Sequence, residues 1–249
     1  IRGEADPAIA AFDHVWIGRG HVSRLMRLAR ARNARDLVII GGMKERRMPR
    51  LSEVDLADLW LVLRHWRLLT HGEDGILRRI ARLFEARGLR VVGAGEAAPQ
   101  LLMPPGALGR VVPDTVARAA IAAGVDAAIR HGLGDLGQGV IVVGETVAAK
   151  EGWDGTDAML AAFAAAREPA GGPAVLVKCP KPIQDLRLAM PAIGPETFRS
   201  AAAAGLSGIA VVAGATLVAD RDDLVAAADA AGLFVFGVDP RATTEGTTA

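Results

Sequence analysis

Ala174-Val175-Leu176-Val177-Lys178-Cys179-Pro180-Lys181-Pro182-Ile183-Gln184-Asp185-Leu186-Arg187 is a short apolar run that ends in charge and proline. Gly171-Gly172-Pro173 stops the chain just before it, so Ala174 to Val177 reads as a strand. The Gly194-Pro195-Glu196-Thr197 turn then opens an Ala-rich helix from Glu196 to Ala204. Gly208 to Val212 is the next strand. Asp222 to Ala231 is a helix with Asp220 or Asp222 as its cap, and Phe234 to Phe236 is a last strand. Strand and helix alternate, which predicts a mixed α/β domain.

Working upstream, a helix runs from Pro113 or Asp114 to about Arg130. Gly139 to Val143 and Thr146 to Ala149 are two apolar runs around Gly144-Glu145, which predicts a β-hairpin. Thr156 to Ala166 is helical. The first part of the chain also alternates: helix His21 to Arg32, strand Leu37 to Ile40, helix Leu51 to Leu69, helix Glu73 to Arg87 ending at Gly88, and strand Leu89 to Val92. That order predicts a parallel, doubly wound sheet of Rossmann-like type. Between the two parts lie Pro99, Pro104, Pro105, Gly106 and Gly109, so residues 97–109 read as a linker between domains 1–96 and 110–249. Thr243 to Ala249 is a polar tail.

Bulk composition narrows the function. Lys and Arg total 29 against 28 Asp and Glu, so the net charge of +1 gives no basis for nucleic-acid binding. Aromatics are 4% with no tyrosine, which leaves no stacking platform for single strands. No apolar run reaches the roughly 18–20 residues that span a bilayer, since Arg64 and His65 break the one at Leu59 to Leu63. A lone Cys179 excludes an internal disulfide and fits a reducing, cytoplasmic compartment.

Polar residues gather at three element ends. After strand Ala174 to Val177, Lys178, Lys181 and Arg187 offer charge to an anion, and two prolines stiffen the backbone. Gln184 and Asp185 are suited to orienting a water or holding a cation, and the Gly194 to Thr197 turn places a helix N-terminus where a phosphate is favoured. By residue type alone, an ordinary charged surface loop fits equally well. Before the helix at Thr156, Glu151 and Asp157 read either as hard oxygen ligands for Mg²⁺ or as part of a capping motif with Thr156 or Asp154. Asp135 and Gln138 fit a turn better than a site. Gly41-Gly42 after a strand suits close phosphate approach or a simple tight turn. Cys179 beside Lys178 is a thiolate candidate, yet no histidine partner is visible, so a structural cysteine is the better reading.

Taken together and in order, Gly137-Gln138, Glu151, Gly155-Thr156-Asp157-Ala158-Met159, Lys178, Lys181-Pro182, Gln184-Asp185, Arg187, Pro191, Ile193-Gly194-Pro195 and Thr197 resemble one family. It is the metal-dependent UDP-2,3-diacylglucosamine pyrophosphatase of lipid A biosynthesis, the type unrelated to calcineurin-like phosphoesterases. Gly208 to Val211 and Gly214 match as well. The first domain matches more loosely through Gly41-Gly42 and through Gly72 to Arg78, which includes Asp74.

The resemblance implies Mg²⁺-dependent hydrolysis of UDP-2,3-diacylglucosamine to UMP and 2,3-diacylglucosamine 1-phosphate (lipid X). It places substrate between two domains, with Lys178, Gln184, Asp185 and the residue-189 position catalytic. Gln138, Glu151, Thr156, Asp157, Lys181, Arg187, Gly194, Thr197, Gly41, Gly42 and Asp74 would bind substrate, and Asp157 and Asp185 would hold the metal. It further implies a homodimer and peripheral contact with the inner face of the cytoplasmic membrane, where acyl chains would meet Leu59 to Leu63 or the Ala-rich helices. The family also carries a glycine-rich strand–turn–helix unit ahead of the position of Ile1.

One departure stands inside the main motif. The family carries an aspartate where this chain has Ala189, followed by Met190-Pro191. Alanine neither ligates a metal nor positions a water. The expectation is therefore an inactivated chain, with a variant made to trap substrate fitting better than a degenerate homologue because the rest of the motif is intact. A catalytically silent lipid-nucleotide binding protein and a nucleotide-sugar transferase are the alternatives.

Overall fold

The computed structural model describes residues 1–18, 21–41, 54, 58, 73–166 and 172–239. The chain divides into two compact units, Ile1–Ala94 and Gly95–Ala249.

In the first unit, helix α1 (Val22–Ala31) leads to strand β1 (Asp36–Val38), and helix α2 (Glu73–Glu85) leads to strand β2 (Arg90–Val92). The strands pair in parallel, with Leu37 opposite Val91. Met26, Ala81, Phe84, Leu89, Val91 and Val92 are buried. These are the apolar stripes of α1 and α2 and the run of β2, so period and burial agree. Gly88 follows α2 at φ +90°, the left-handed conformation that ends helices. At the start of α1, His21 makes no side-chain cap. The buried Asp58 does this instead, accepting from the Ser23 backbone N–H and hydroxyl. The helix expected over Leu51 to Leu69 lies almost wholly outside the described residues, as do Gly42 and the polar tail.

The short helix α3 (Ala94–Ala97) leads into the second unit, which is built on a six-stranded sheet. Its strands are β3 (Gly106–Ala107), β4 (Gly139–Val143), β5 (Thr146–Lys150), β6 (Ala174–Lys178), β8 (Gly208–Val212) and β10 (Phe234–Val238), ordered β3-β10-β8-β6-β4-β5. β6, β8 and β10 are parallel; β4 runs antiparallel to β6 and to β5, its hairpin partner, and β3 runs antiparallel to β10. A separate parallel pair joins β7 (Ala192–Ile193) to β9 (Leu217–Val218). The hairpin falls where the apolar runs around Gly144-Glu145 predict it.

Helices cover both faces of the sheet, which is why its central strands are continuously apolar rather than alternating. Helix α4 (Thr115–Gly132) packs Ala120, Ile121, Val125 and Ala128 against Val140, Val142, Val175 and Val177. Asp114 caps it by accepting from the Ala117 N–H. Helices α5 (Gly155–Ala166), α6 (Pro195–Ala203) and α7 (Arg221–Ala231) bury Leu160, Phe163, Phe198 and Leu224 with Ile141, Leu176, Ile209 and Val235 on the other face. Ala201 and Ala228 of the Ala-rich helices are buried here. Asp220 sits at the N-cap of α7 but at φ 45° and with no side-chain cap bond, so the capping expected of it is absent.

Residues 97–109, expected as a linker, pack against the second unit. Met103 is fully buried, its N–H donates to the Thr216 carbonyl, and Gly106–Ala107 forms an edge strand of the sheet. A Cβ on Gly237 would lie 1.9 Å from the Pro104 carbonyl oxygen, so that glycine is what lets the segment dock. Proline and glycine here mark a short edge strand rather than a free tether. Among the described residues no helix is long and apolar enough to cross a membrane.

Two predictions test this packing. A Cβ at Gly124 would stand 2.4 Å from Val177 Cγ2 and 3.1 Å from Val142 Cγ2. Gly124→Ala should therefore lose about 1–2 kcal/mol in urea unfolding, because overpacking a β-branched neighbour outweighs the ~1 kcal/mol gain in helix propensity. Cys179 follows β6 into the core beneath α4, and burial, with Asp126 adding to it, pushes its thiol from 9.0 up to about 12. It should resist thiol reagents at pH 8 until the protein unfolds. Between pH 9.0 and about 12 the unfolded chain releases this proton while the folded chain keeps it, so stability falls with rising pH. Comparison with Cys179→Ala over that range isolates the effect, and an equal fall in both proteins would contradict it.

Candidate active site

The topology forces three chain segments together at one end of the second unit's sheet. Lys178 is the last residue of β6, and its Cα partner on β4 is Gly139, the first residue of that strand. Val140 pairs with Lys150, the last residue of β5, and Glu151 continues that strand by donating its N–H to the Gly139 carbonyl. Gln138, Glu151 and Lys178 are thus neighbours by register. Side chains alternate across a sheet, so Lys178 emerges on the same face as Leu176, the face covered by α5. The first turn of α5 carries Thr156 and Asp157 to that point.

Glu151 is only 7% exposed and Lys178 only 6%, so both charges need partners. Glu151 Oε2 accepts from the Gln138 backbone N–H at 2.8 Å, and Oε1 accepts from the Thr156 hydroxyl at 2.7 Å. Lys178 Nζ donates to Thr156 Oγ1 at 2.8 Å. Burial lowers the Lys178 pKa below its ordinary value, opposed by the nearby carboxylates of Glu151 and Asp157. Two glycines make room for Glu151. A Cβ on Gly137 would stand 2.4 Å from the Glu151 carbonyl oxygen, and one on Gly139 would stand 3.1 Å from Glu151 Oε2. His131, at the end of α4, donates from Nε2 to the same Glu151 carbonyl at 2.6 Å.

A second cluster follows β6. Lys181 Nζ pairs with Asp135, which holds φ 56°, and the Lys181 N–H donates to Gln184 Oε1 at 2.9 Å. Asp185 accepts from Arg187 at both oxygens, 3.0 Å from Nε and 2.7 Å from the terminal guanidinium nitrogen. The Leu188 and Ala189 N–H groups both donate to the Asp185 carbonyl, which makes residues 185–189 a single helical turn. Residues four apart on such a turn share a side. A carboxylate at position 189 would therefore stand beside that of Asp185.

The residues expected from sequence divide accordingly. Gln138, Glu151, Thr156 and Lys178 form one hydrogen-bonded group, with Asp157 close enough to act on Lys178 by charge. Lys181, Gln184, Asp185 and Arg187 share the loop after β6. Gly194 and Thr197 start α6, where the Thr197 hydroxyl accepts from the Gly194 N–H. Gly41 is exposed in the first unit at φ +106°. Gly42 and the side chain of Asp74 lie outside the described residues. Cys179 is no nucleophile at this site, because burial keeps its thiol protonated. Asp135 does more than shape a turn, and His131 had no sequence signal beyond its place at a helix end.

Among the described residues no group of three or more His, Cys, Asp and Glu side chains is placed to hold a metal ion. Asp157 is exposed, and both oxygens of Asp185 accept from Arg187. Such a donor set does not form a preformed cage. Carboxylates of this kind are the ligand type that suits Mg²⁺, which keeps most of its waters and is retained by one or two carboxylates plus phosphate oxygens.

Residues 104–236 match the family model described as the LpxI C-terminal domain, and residues 1–101 match the LpxI N-terminal domain. A protein of Caulobacter vibrioides (strain ATCC 19089 / CIP 103742 / CB 15) named UDP-2,3-diacylglucosamine pyrophosphatase LpxI is 37% identical over 253 residues, covering 97% of this chain and 88% of that one. The chain belongs to the LpxI family.

Proposed function

We propose that this protein acts on UDP-2,3-diacylglucosamine as a pyrophosphate hydrolase of lipid A biosynthesis, and that Ala189 impairs it. Membership of the LpxI family supports the reaction class. The observation that carries the residue assignment is the buried Lys178 ammonium, fixed by Thr156 at the end of β6 beside a loop rich in cations. A pyrophosphate presents adjacent negative charges that grow during P–O cleavage, and preorganised cations in a dry site stabilise that growth. Water oxygen forms the new bond to phosphorus, the bridging P–O bond breaks, and UMP and 2,3-diacylglucosamine 1-phosphate leave.

In this reading Lys178 and Lys181 grip phosphate oxygens, and the helical turn 185–189 faces the attacking water. Asp157, with Asp185, would hold Mg²⁺, which when bound supplies charge neutralisation to the phosphates. The resemblance read from the sequence implies a carboxylate at position 189, and here a methyl group stands in its place. Losing such a group removes transition-state stabilisation while leaving binding largely intact. The peripheral membrane contact and homodimer implied by the resemblance belong to the same proposal, since acyl chains anchor the substrate in a lipid surface.

Ala189→Asp tests it. With Mg²⁺ and UDP-2,3-diacylglucosamine, the variant should release UMP at least ~100-fold faster than the unmodified chain, as expected when a transition-state contact of about 3 kcal/mol is restored. Binding of the lipid nucleotide should change little. Binding without UMP release by the variant would leave a catalytically silent lipid-nucleotide binding protein as the correct reading.

A further inference from the structure

Glu151 and Thr156 match the family motif and were expected to touch substrate. Their geometry gives them another task. Both Glu151 oxygens already accept from protein donors, the Gln138 N–H and the Thr156 hydroxyl. The carboxylate is buried, in space that the missing Cβ atoms of Gly137 and Gly139 leave open. The Thr156 hydroxyl spends its one proton on Glu151 and so presents only lone pairs to Lys178 Nζ. The order of donors is therefore fixed along the whole chain of groups.

We infer that Glu151 and Thr156 are positioning residues: a Glu151–Thr156 relay, anchored by the Gln138 and His131 contacts, holds the Lys178 ammonium in the one orientation in which its remaining protons meet a phosphate. The inference deepens the hydrolase reading and rests on it only for the identity of that phosphate. Lysine has four rotatable bonds and three equivalent donors, so an unrestrained Lys178 would bind an anion as a mobile point charge. A Thr oxygen polarised by a carboxylate removes that freedom before substrate arrives. Such preorganisation distinguishes a site group from a solvated surface lysine. The carboxylate also offsets the charge of the buried ammonium without contacting it directly, which keeps the ammonium's other protons uncommitted to Glu151.

The chemistry of the relay sets the test. Thr156→Ser keeps the hydroxyl; Thr156→Val keeps the shape and removes it. Glu151→Gln keeps the shape but turns one of its two acceptors into an NH₂ donor, which must then oppose either the Gln138 N–H or the Thr156 hydroxyl proton. Nitrogen-detected NMR of the full chain with labelled lysine should show one slowly exchanging ammonium signal, assigned by its absence in Lys178→Ala. The signal should persist in Thr156→Ser and vanish in Thr156→Val and Glu151→Gln. Melting temperatures should show each variant folded. Affinity for inorganic pyrophosphate with Mg²⁺, measured by calorimetry, should fall about 10- to 100-fold in Thr156→Val, the effect of losing a hydrogen bond to a charged group. Thr156→Ser should recover most of that loss, and Lys178→Ala should weaken the Thr156→Val protein little further. A Lys178 signal that survives in Thr156→Val, or a Ser variant no better than the Val variant, would overturn the relay. Loss of the signal with no pyrophosphate binding in any form would leave the relay standing and remove the phosphate assignment.

Discussion

A lysine that ends a fully buried strand has to find oxygen, and much of this site follows from how Lys178 does so. β6 is buried at every residue, and alternation sends the Lys178 side chain to the face roofed by α5. An unpaired ammonium at that depth would cost several kcal/mol. Thr156 supplies the acceptor because α5 begins there, and Glu151 supplies the balancing charge because β5 ends there. Gly137 and Gly139, lacking Cβ atoms, leave the space that the glutamate occupies. One buried charge thus ties together four elements that are distant in sequence.

The second unit shows how a sheet with helices on both faces creates such a position. The parallel strands β6, β8 and β10 end at the same edge, and ligands of open α/β sheets gather outside the carboxyl ends of their strands. β4 and β5 run antiparallel to this core and contribute the beginning of one strand and the end of the other to that edge. The loop after β6 then adds Lys181, Gln184, Asp185 and Arg187 within ten residues. Its own hydrogen bonds, Lys181 to Asp135 and Arg187 to Asp185, give the loop a defined shape at the surface.

Local chemistry made some of this legible in the sequence. Apolar runs bounded by glycine and proline located β4, β5, β6 and β8 to within a residue or two, and Gly144-Glu145 marked the hairpin. The clustering of Lys178, Lys181, Gln184 and Asp185 after a strand pointed to the site, and the ordered motif pointed to the family. What local pattern does not contain is pairing register. Residues 97–109 carry prolines and glycines and so resembled a linker, yet Gly106–Ala107 finds an antiparallel place beside β10 and Met103 is buried. Likewise the sequence left Glu151 and Thr156 open between ligand and capping roles, since nothing in their types tells whether a carboxylate faces a substrate or a neighbouring backbone. His131 and Asp135 joined the site only through the fold, from the end of α4.

The Lys178 ammonium, held by Thr156, is the proposed phosphate contact of this protein. A crystal structure of this chain grown with UDP-2,3-diacylglucosamine and Mg²⁺ tests it most directly. The account predicts an intact lipid nucleotide with a pyrophosphate oxygen about 2.7–3.2 Å from Lys178 Nζ, the range of an N–H···O bond. A pyrophosphate bound away from Lys178, with the Lys178–Thr156–Glu151 group untouched, would contradict it.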